Sequence, residues 1–453
     1  MSTLIASDKM VVILGLGKTG LSVARFLTKQ NRTFVVVDTR DNPPGLAELK
    51  TINANVTILA GTISEHVETI MCGAEEIIIS PGISRDIPVI KAAIKMGISV
   101  VGDVELFLRE AKAPVVGITG SNGKTTVTTL VGLAAEKAGL HVKVAGNIGI
   151  PALDVLHDSV ELYVLELSSF QLESIPRAKL SVACNLNVSA DHMDRYSSLA
   201  VYCMAKQRIF WGAERVVYNL DDKLTQPPAI SGVHRFGFGL GVSSEQGDSK
   251  YLYDGESAAL KNDNDTLLLA NELKMFGRHN IANALAVMGI CDAARIDRAA
   301  VLNVLRTFKG LPHRCEWAGE KKTITFINDS KATNVGATIA AIEGLYADFS
   351  AITLIAGGDG KDADFSALGN VIEGRIRVLV LVGVDAGKIA AQVNKKVTTF
   401  YAESLPEAVQ MAYQKSEPNS AVLLSPACAS FDMFSGFEAR GECFIASVEA
   451  LVA

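Results

Sequence analysis

The chain has 453 residues, a formal net charge of −6, 49% hydrophobic and 20% charged residues; that is the length of about three domains and the composition of a soluble α/β protein, not of a disordered or fibrous one. The acidic balance, with no basic run or arm, excludes a nucleic acid as partner but leaves small anionic ligands open, because a local pocket can be positive on an acidic protein. No apolar run approaches the ~18 residues that span a bilayer, and the opening MSTLIASDKM lacks a basic stretch followed by an apolar one, so a cytoplasmic protein without membrane insertion is expected.

The first hundred residues alternate strand and helix: VVIL, a helix from about Thr19 to Lys29, FVVVD ending at Asp38, and EIIIS before Pro81 and Gly82. This pattern predicts an open parallel sheet. Gly15, Gly17 and Gly20 form a G-x-G-x-x-G turn between strand and helix, and Asp38 closes the next strand, which is the Rossmann fingerprint in its proper context. A glycine turn at a helix N-terminus binds any diphosphate, so a dinucleotide cofactor and a nucleotide sugar both fit. A domain boundary falls near 101–103, before the helical VELFLREAK.

The stretch 115–126, VVGITGSNGKTT, pairs an apolar strand with a glycine-rich turn ending in Gly-Lys-Thr. Its backbone N–H groups would approach phosphate oxygens, Lys124 would reach the β/γ-phosphates, and the Thr125 hydroxyl would ligate magnesium. The strict P-loop pattern needs glycine where Ile118 stands, so a generic motif search passes over the site. Glu166 ends the strand YVLE and is read as a magnesium ligand or as a cap on the following helix. Asp191, His192, Asp194 and Arg195 cluster after the strand LSVACNLN, where a second metal site is one reading of His192. Lys206 lies mid-helix among apolar neighbours, either as a costly buried ammonium or as a snorkelling surface lysine. Helices are predicted around Ala200 to Trp211 and Asn280 to Ala293, and the weak segment 221–272 reads as a small peripheral sheet with loops.

After Gly310 the alternation restarts with ITFIN, a helix from about Thr333, ITLIAGG, RVLVLVG, a helix near Leu405 to Gln414, and AVLLSP, another dinucleotide-type unit. Polar clusters LPHR, NDSKATN, GGDGK and SPACASFD sit at its junctions and strand ends, and their Arg314, Lys331 and Lys361 suit an acidic substrate and developing phosphate charge. Cys428 has no histidine near it in sequence and is assigned to packing. The seven cysteines are scattered without C-x-x-C spacing, as reduced structural thiols are.

TGSNGKTT, LELSSFQLE, DHMDRY, LPHR, NDSKATN, GGDGKDADF and SPACASFD, in this order, resemble the Mur ligase family over the whole chain, and within it the members that add D-glutamate. TGSNGKTT alone would also admit folylpolyglutamate synthetase. The resemblance implies an α/β protein of three domains: an N-terminal Rossmann-like UDP-binding domain over 1–102, a central P-loop ATPase-like domain over 103–310, and a C-terminal Rossmann-like amino-acid-binding domain over 311–453. It also implies that the first glycine turn holds the uridine diphosphate of a nucleotide sugar and not NAD.

Carried over residue by residue, Gly120, Ser121, Asn122, Gly123, Lys124, Thr125 and Thr126 would cradle ATP, with Asn280, Asn283, Arg314 and Asp329 around its base, ribose or phosphates. Thr125 and Glu166 would hold one magnesium ion (Mg2+), and His192 with a carbamylated Lys206 would serve a second. Lys18, Thr19, Asp38, Thr39, Arg40 and Gly82 match the uridine-diphosphate contacts, and Asn147 and His192 lie along the muramoyl substrate. Thr333, Lys361, Ser430 and Phe437 match the D-glutamate pocket, with Lys331 nearby. Lys18 is a departure, since an apolar residue is expected inside this turn.

The implied activity is ATP-dependent amide formation in peptidoglycan precursor synthesis. The terminal carboxylate of UDP-N-acetylmuramoyl-L-alanine attacks the γ-phosphate, and the D-glutamate amine attacks the resulting acyl phosphate. Lys124, Glu166, His192, Lys206, Arg314 and Lys331 form the catalytic set, in a chain expected to be a monomer. The alternatives are another Mur- or folylpolyglutamate-type ligase, a nucleotide-gated binding protein, and an NAD-dependent oxidoreductase, which leaves Lys124 and Thr125 without a purpose.

Overall fold

Continuous apolar runs buried on both faces are what a parallel sheet covered by helices requires, and the computed structural model places such runs at the centre of each of its sheets. It describes residues 10–451 except 194, 230–231, 242–248, 264, 347, 362 and 395; the N-terminal residues 1–9, Asp194 and Asp362 therefore lie outside the described residues. The chain divides into two units, one of residues up to 254 with 261–265 and 283–304, the other of 255–260, 266–282 and 305 onward.

In the first unit, β1 (Val11–Leu14), β2 (Phe34–Asp38), β3 (Thr57–Ala60), β4 (Glu76–Ile79) and β5 (Ser99–Val101) form a parallel sheet in the order β3-β2-β1-β4-β5. The half-exposed β3 lies at one edge and the three-residue β5 at the other. That is why neither has the continuous apolar signature that marks β1, β2 and β4. The helix Lys18–Lys29 buries Leu21, Ala24 and Leu27 at helical spacing.

Gly20 sits in that helix where a Cβ would lie 2.0 Å from Gly15 O, a backbone atom that cannot step aside. The third glycine of the fingerprint is thus there for close helix–strand packing. Gly20→Ala is expected to destabilise the first unit by about 1–3 kcal/mol through overpacking, read as a lowered midpoint in urea unfolding; an unchanged midpoint would remove the steric explanation.

The same unit holds β6 (Val115–Thr119), β7 (Val142–Gly146), β8 (Leu162–Glu166), β9 (Val182–Asn185), β10 (Arg215–Asn219), β11 (His234–Gly239) and β12 (Ser249–Asp254), in the order β12-β11-β10-β9-β6-β8-β7. The strands β13 (Ala259–Asn262) and β14 (Asp265–Leu269) follow in sequence. The expectation of a small peripheral sheet with loops over 221–272 is corrected here: β11 pairs in parallel onto β10 and β12 onto β11, so both extend the central sheet. Among the described residues the connection from β10 to β11 carries the 3₁₀ turn Lys223–Thr225 and no helical crossover of the kind that announces a parallel strand. Val11, Leu27, Phe107, Tyr163 and Val216 belong to one apolar cluster, with Phe107 edge-on to Tyr163 at 4.9 Å. A shared core therefore joins the first two sheets.

Register decides what the central sheet presents. Ile118 pairs with Glu166 and Thr119 with Asn185, so the phosphate loop after β6 and the acid that ends β8 leave the same edge. Carboxyl ends of parallel strands are where such folds bind ligands.

In the second unit, β15 (Glu316–Lys321), β16 (Ile324–Asn328), β17 (Ile352–Gly357), β18 (Ile376–Val382), β19 (Thr398–Tyr401) and β20 (Ala421–Leu424) run β15-β16-β20-β17-β18-β19, with β15 antiparallel. Inserting β20 between β16 and β17 sets Leu424 beside both Asn328 and Ile355. The loops carrying NDSKATN, GGDGK and SPACASFD thus emerge from adjacent strand ends. Among the described residues no helix is long and apolar enough to cross a membrane.

Candidate active site

The phosphate loop turns at Gly123, whose φ of 81° is left-handed, and a Cβ there would lie 2.5 Å from Asn283 Oδ1. Asn283, which the resemblance places around ATP, is buried beside this loop. The residues after β9 pin the loop: Asn122 N donates to Asn187 Oδ1 at 2.8 Å, Ser121 N to Asn187 O at 2.9 Å, and Ser121 Oγ to Ser189 O at 3.0 Å. Lys124 Nζ donates to Gly120 O at 2.8 Å and Ser121 O at 2.9 Å. Burial lowers its pKa, opposed by the charges of Glu166 and then Asp191. Thr125 and Thr126 open the helix Lys124–Lys137.

Glu166 is buried, and its Oε1 accepts from Asn147 Nδ2 at 2.7 Å while Oε2 is buried without a hydrogen-bond partner among the described residues. The capping explanation for this acid fails, because Ser168 caps the helix Ser169–Glu173 in a capping box with Gln171. A buried carboxylate oxygen left unsatisfied is a donor that a hard divalent cation suits. Among the described residues no group of three or more His, Cys, Asp or Glu side chains could hold a metal alone. Magnesium fits such a site, since it keeps several waters and uses one or two carboxylates together with substrate phosphates.

Lys206, on the helix Leu199–Gln207, is 1% exposed, so the snorkelling reading is corrected. Its Nζ donates to the same Gly120 O at 2.8 Å and lies 4.7 Å from the Tyr202 ring centroid. Burial, with the Lys124 charge second, pulls its pKa down to about 7, and Asp191 is the foremost acid opposing this. His192 adopts a left-handed φ of 54°, with Nε2 3.5 Å from Asp191 Oδ2 and its ring 4.8 Å from that of Phe170.

A cavity of about 570 Å³ opens at the first glycine turn, and Lys18, Thr19, Asp38, Thr39, Arg40, Gly82 and Asn147 all line it. Asp38 matches the uridine-diphosphate contacts by resemblance, yet both of its oxygens are engaged within the protein. Leu16 N donates to Oδ2 at 2.7 Å, and Arg40 reaches Oδ1 through N and Nε at 2.9 Å and Oδ2 through Nη2 at 2.7 Å. The Arg40 guanidinium, foremost, holds Asp38 down at about 2 against its burial. Asp38 therefore shapes the turn and tethers Arg40 at the cavity. Ser80, Asp103, Ser168 and Phe170 also line it and were not singled out from sequence; Ser168 and Phe170 lay within the LELSSFQLE motif.

In the second unit, Asp329 accepts from Cys315 N at 3.2 Å and from Ser425 Oγ at 2.8 Å, and burial pushes its carboxyl up to about 6. Arg314 is among the groups whose charge acts on it. Lys331 Nζ lies 5.0 Å from the Phe437 ring centroid, on whose edge His313 packs at 5.9 Å. The segment of Lys361 meets that of Ser430 through the bridge between Asp359 and Ala429. Thr333 is exposed, with its N–H donating to Lys331 O at 2.9 Å, and Asn280 Nδ2 donates to Phe276 O at 2.7 Å. Cys428 is buried, its thiol pushed up to about 12 by that burial, as a packing residue requires.

Arg440 is the organiser that sequence reasoning missed. It is buried and donates to Ser330 Oγ at 3.1 Å, Ser330 O at 2.9 Å and Cys428 O at 3.1 Å. It thereby ties two of the motif loops together, and burial brings its pKa down to about 10. The available signal was an arginine sharing the i, i+4, i+8 stripe with the buried Phe444 and Val448.

Comparison with known proteins gives three family matches: "Mur ligase MurD-like, N-terminal domain" over residues 9–102, "Mur ligase middle domain" over 118–291, and "Mur ligase, glutamate ligase domain" over 313–428. The chain is 54% identical over 451 residues to a UDP-N-acetylmuramoylalanine--D-glutamate ligase of Teredinibacter turnerae, covering 100% of both chains. It is 51% identical to the protein of that name from Saccharophagus degradans, covering 99% of each, and 47% identical to that of Pseudomonas aeruginosa, covering 99% of this chain and 100% of the other. Among solved structures, a UDP-N-acetylmuramate-alanine ligase from Thermotoga maritima matches at a TM-score of 0.51 and 19% identity over 97% of this chain and 99% of that one. A UDP-N-acetylmuramoyl-L-alanyl-D-glutamate--2,6-diaminopimelate ligase matches at 0.56 and 16% identity over 80% and 85%. These two structures share the fold.

Proposed function

The chain belongs to the Mur ligase family, and from that premise we propose that it is the ATP-dependent ligase joining D-glutamate to UDP-N-acetylmuramoyl-L-alanine in cytoplasmic peptidoglycan precursor synthesis. The observation that carries this reading is a polar path within the first unit. The cavity lined by the predicted uridine-diphosphate contacts includes Asn147, Asn147 is hydrogen-bonded to Glu166, and Glu166 leaves the sheet beside the phosphate-loop strand. A nucleotide sugar in that cavity would point its far end toward the phosphate loop. We take the enzyme as a monomer with domains over 1–102, 103–310 and 311–453.

A free carboxylate is a poor acyl donor, and phosphorylation converts one of its oxygens into a leaving group. Lys124 and the N–H groups of the loop would offset charge on the transferring phosphoryl oxygens. Bound through Thr125 and Glu166, with His192 and a carbamylated Lys206 serving a second ion, magnesium would supply Lewis-acid neutralisation of the phosphates. Arg314, Asp329, Asn280 and Asn283 are proposed as further ATP contacts. Thr333, Lys361, Ser430 and Phe437, with Lys331, are proposed for D-glutamate, whose second carboxylate must be paired when it leaves water.

Asp38→Ala and Arg40→Ala test the assignment of the cavity. Arg40→Ala removes a charged donor at the cavity and Asp38→Ala the tether that holds it; a loss of about 1.5–3 kcal/mol should raise the KM for the nucleotide sugar about tenfold or more while the KM for ATP stays within about twofold. Weakened ATP binding instead, or tight NADH binding by the wild-type protein, would return the first domain to a dinucleotide reading.

A further inference from the structure

The DHMDRY turn contributes His192 to the proposed site, whereas its arginine has no assigned role. Arg195 is largely enclosed, with 18% of its side chain exposed, and reaches three places at once. Nη2 donates to Glu173 Oε2 at 2.9 Å, Nη1 to Pro81 O at 3.3 Å, and the guanidinium carbon lies 4.2 Å from the Phe170 ring centroid. Pro81 and Phe170 line the cavity, and Glu173 ends the short helix that carries Phe170.

Through its backbone, Arg195 belongs to the turn of His192, since Arg195 N and Tyr196 N both donate to His192 O at 3.0 Å. The left-handed conformation of His192 is costly for a residue other than glycine and persists only where its surroundings hold it. A planar guanidinium can stack on an aromatic face while its N–H groups serve two acceptors; a lysine ammonium cannot match that geometry.

We propose that Arg195 is a positioning residue for ligation: by gripping Phe170, Glu173 and Pro81 together it fixes the His192 turn against the wall of the nucleotide-sugar cavity. The inference rests on the nucleotide-sugar reading above and adds a side chain that joins two walls of that cavity to the turn beside the phosphate loop.

The test compares Arg195→Met, Arg195→Lys and Glu173→Gln with Arg208→Ala. Arg208 donates to Leu172 O and Ile175 O and stacks on Trp211, so its loss should lower Tm without altering substrate affinity. Calorimetry with UDP-N-acetylmuramoyl-L-alanine in the absence of ATP, and steady-state kinetics on the folded fraction, are the readouts. Arg195→Met should weaken nucleotide-sugar binding and lower kcat, each about tenfold, with the KM for ATP within about twofold; Arg195→Lys should recover part of both, and Glu173→Gln should show the same split more weakly.

Wild-type affinity and kcat in folded Arg195→Met would overturn the inference, as would a loss that only tracks Tm in the manner of Arg208→Ala. If the Arg195 variants do not fold, wild-type values in Glu173→Gln overturn it instead. A wild-type protein that fails to bind the nucleotide sugar would overturn the functional reading, whereas wild-type binding with an unaffected Arg195→Met would overturn the positioning role alone.

Discussion

Lys124→Ala is expected to lower ligation by about a thousandfold or more while leaving the fold intact, because a preorganised charge on a transferring phosphoryl group is worth that much in turnover. The structure explains why folding should survive. Lys124 Nζ contacts two carbonyls of its own loop, Gly120 O and Ser121 O, while the loop is independently pinned by Asn187 and Ser189. Truncating the side chain removes a partly buried cation whose burial is itself unfavourable. Thermal unfolding and ligation, measured on the same preparation, check both halves. Undiminished turnover would remove ATP from the phosphate loop, and a collapsed Tm would make the lysine structural.

Lys206→Arg is expected to be nearly inactive although it keeps the positive charge. Lys206 is sealed from solvent beside a second ammonium, and its pKa of about 7 leaves a substantial neutral fraction at physiological pH. A neutral amine attacks carbon dioxide, forming an N–C bond and releasing a proton, and the resulting carbamate is an anion suited to the magnesium site proposed above; a guanidinium cannot make it. Lys206→Ala should regain activity with added acetate or formate, and wild-type activity should respond to bicarbonate.

The pH dependence follows from the same shift. The folded pKa lies below the ordinary lysine value, so the destabilising cost of burying the unmodified amine is present in full below about pH 7 and disappears as pH rises toward about 10.4. Carbamate formation should correspondingly fail as pH drops below 7. Full activity of Lys206→Arg, or a high-resolution map of the protein with magnesium bound that shows an unmodified amine, would overturn the carbamate.

The legible parts of the fold were those whose local chemistry and buried pattern agree. VVIL, FVVVD, VVGIT, ITFIN and AVLL are predominantly apolar runs, and each is a strand buried at every position. The edge strands Thr57–Ala60 and Ser99–Val101 escaped because one side of an edge needs no apolar cover. The strands His234–Gly239 and Ser249–Asp254 read only as a small peripheral sheet because their half-buried pattern lacks the continuous apolar run of the central strands, whose sheet they extend in parallel. In the site, glycine spacing and the Gly-Lys-Thr turn gave the phosphate loop. The engagement of Asp38 with Arg40, the unsatisfied Glu166 Oε2 and the bracing by Arg440 depend on what the fold brings together, and no local spacing encodes them.

Phosphate release from ATP, measured over a matrix of amino acids with and without UDP-N-acetylmuramoyl-L-alanine, tests the central claim most directly. Release should require the nucleotide sugar and D-glutamate together. L-glutamate and D-alanine should fall near background, since each buried group left unpaired by a wrong substrate costs about 1–3 kcal/mol. Equal release with D-alanine, or release indifferent to the nucleotide sugar, would contradict the assignment of this chain as the D-glutamate-adding ligase.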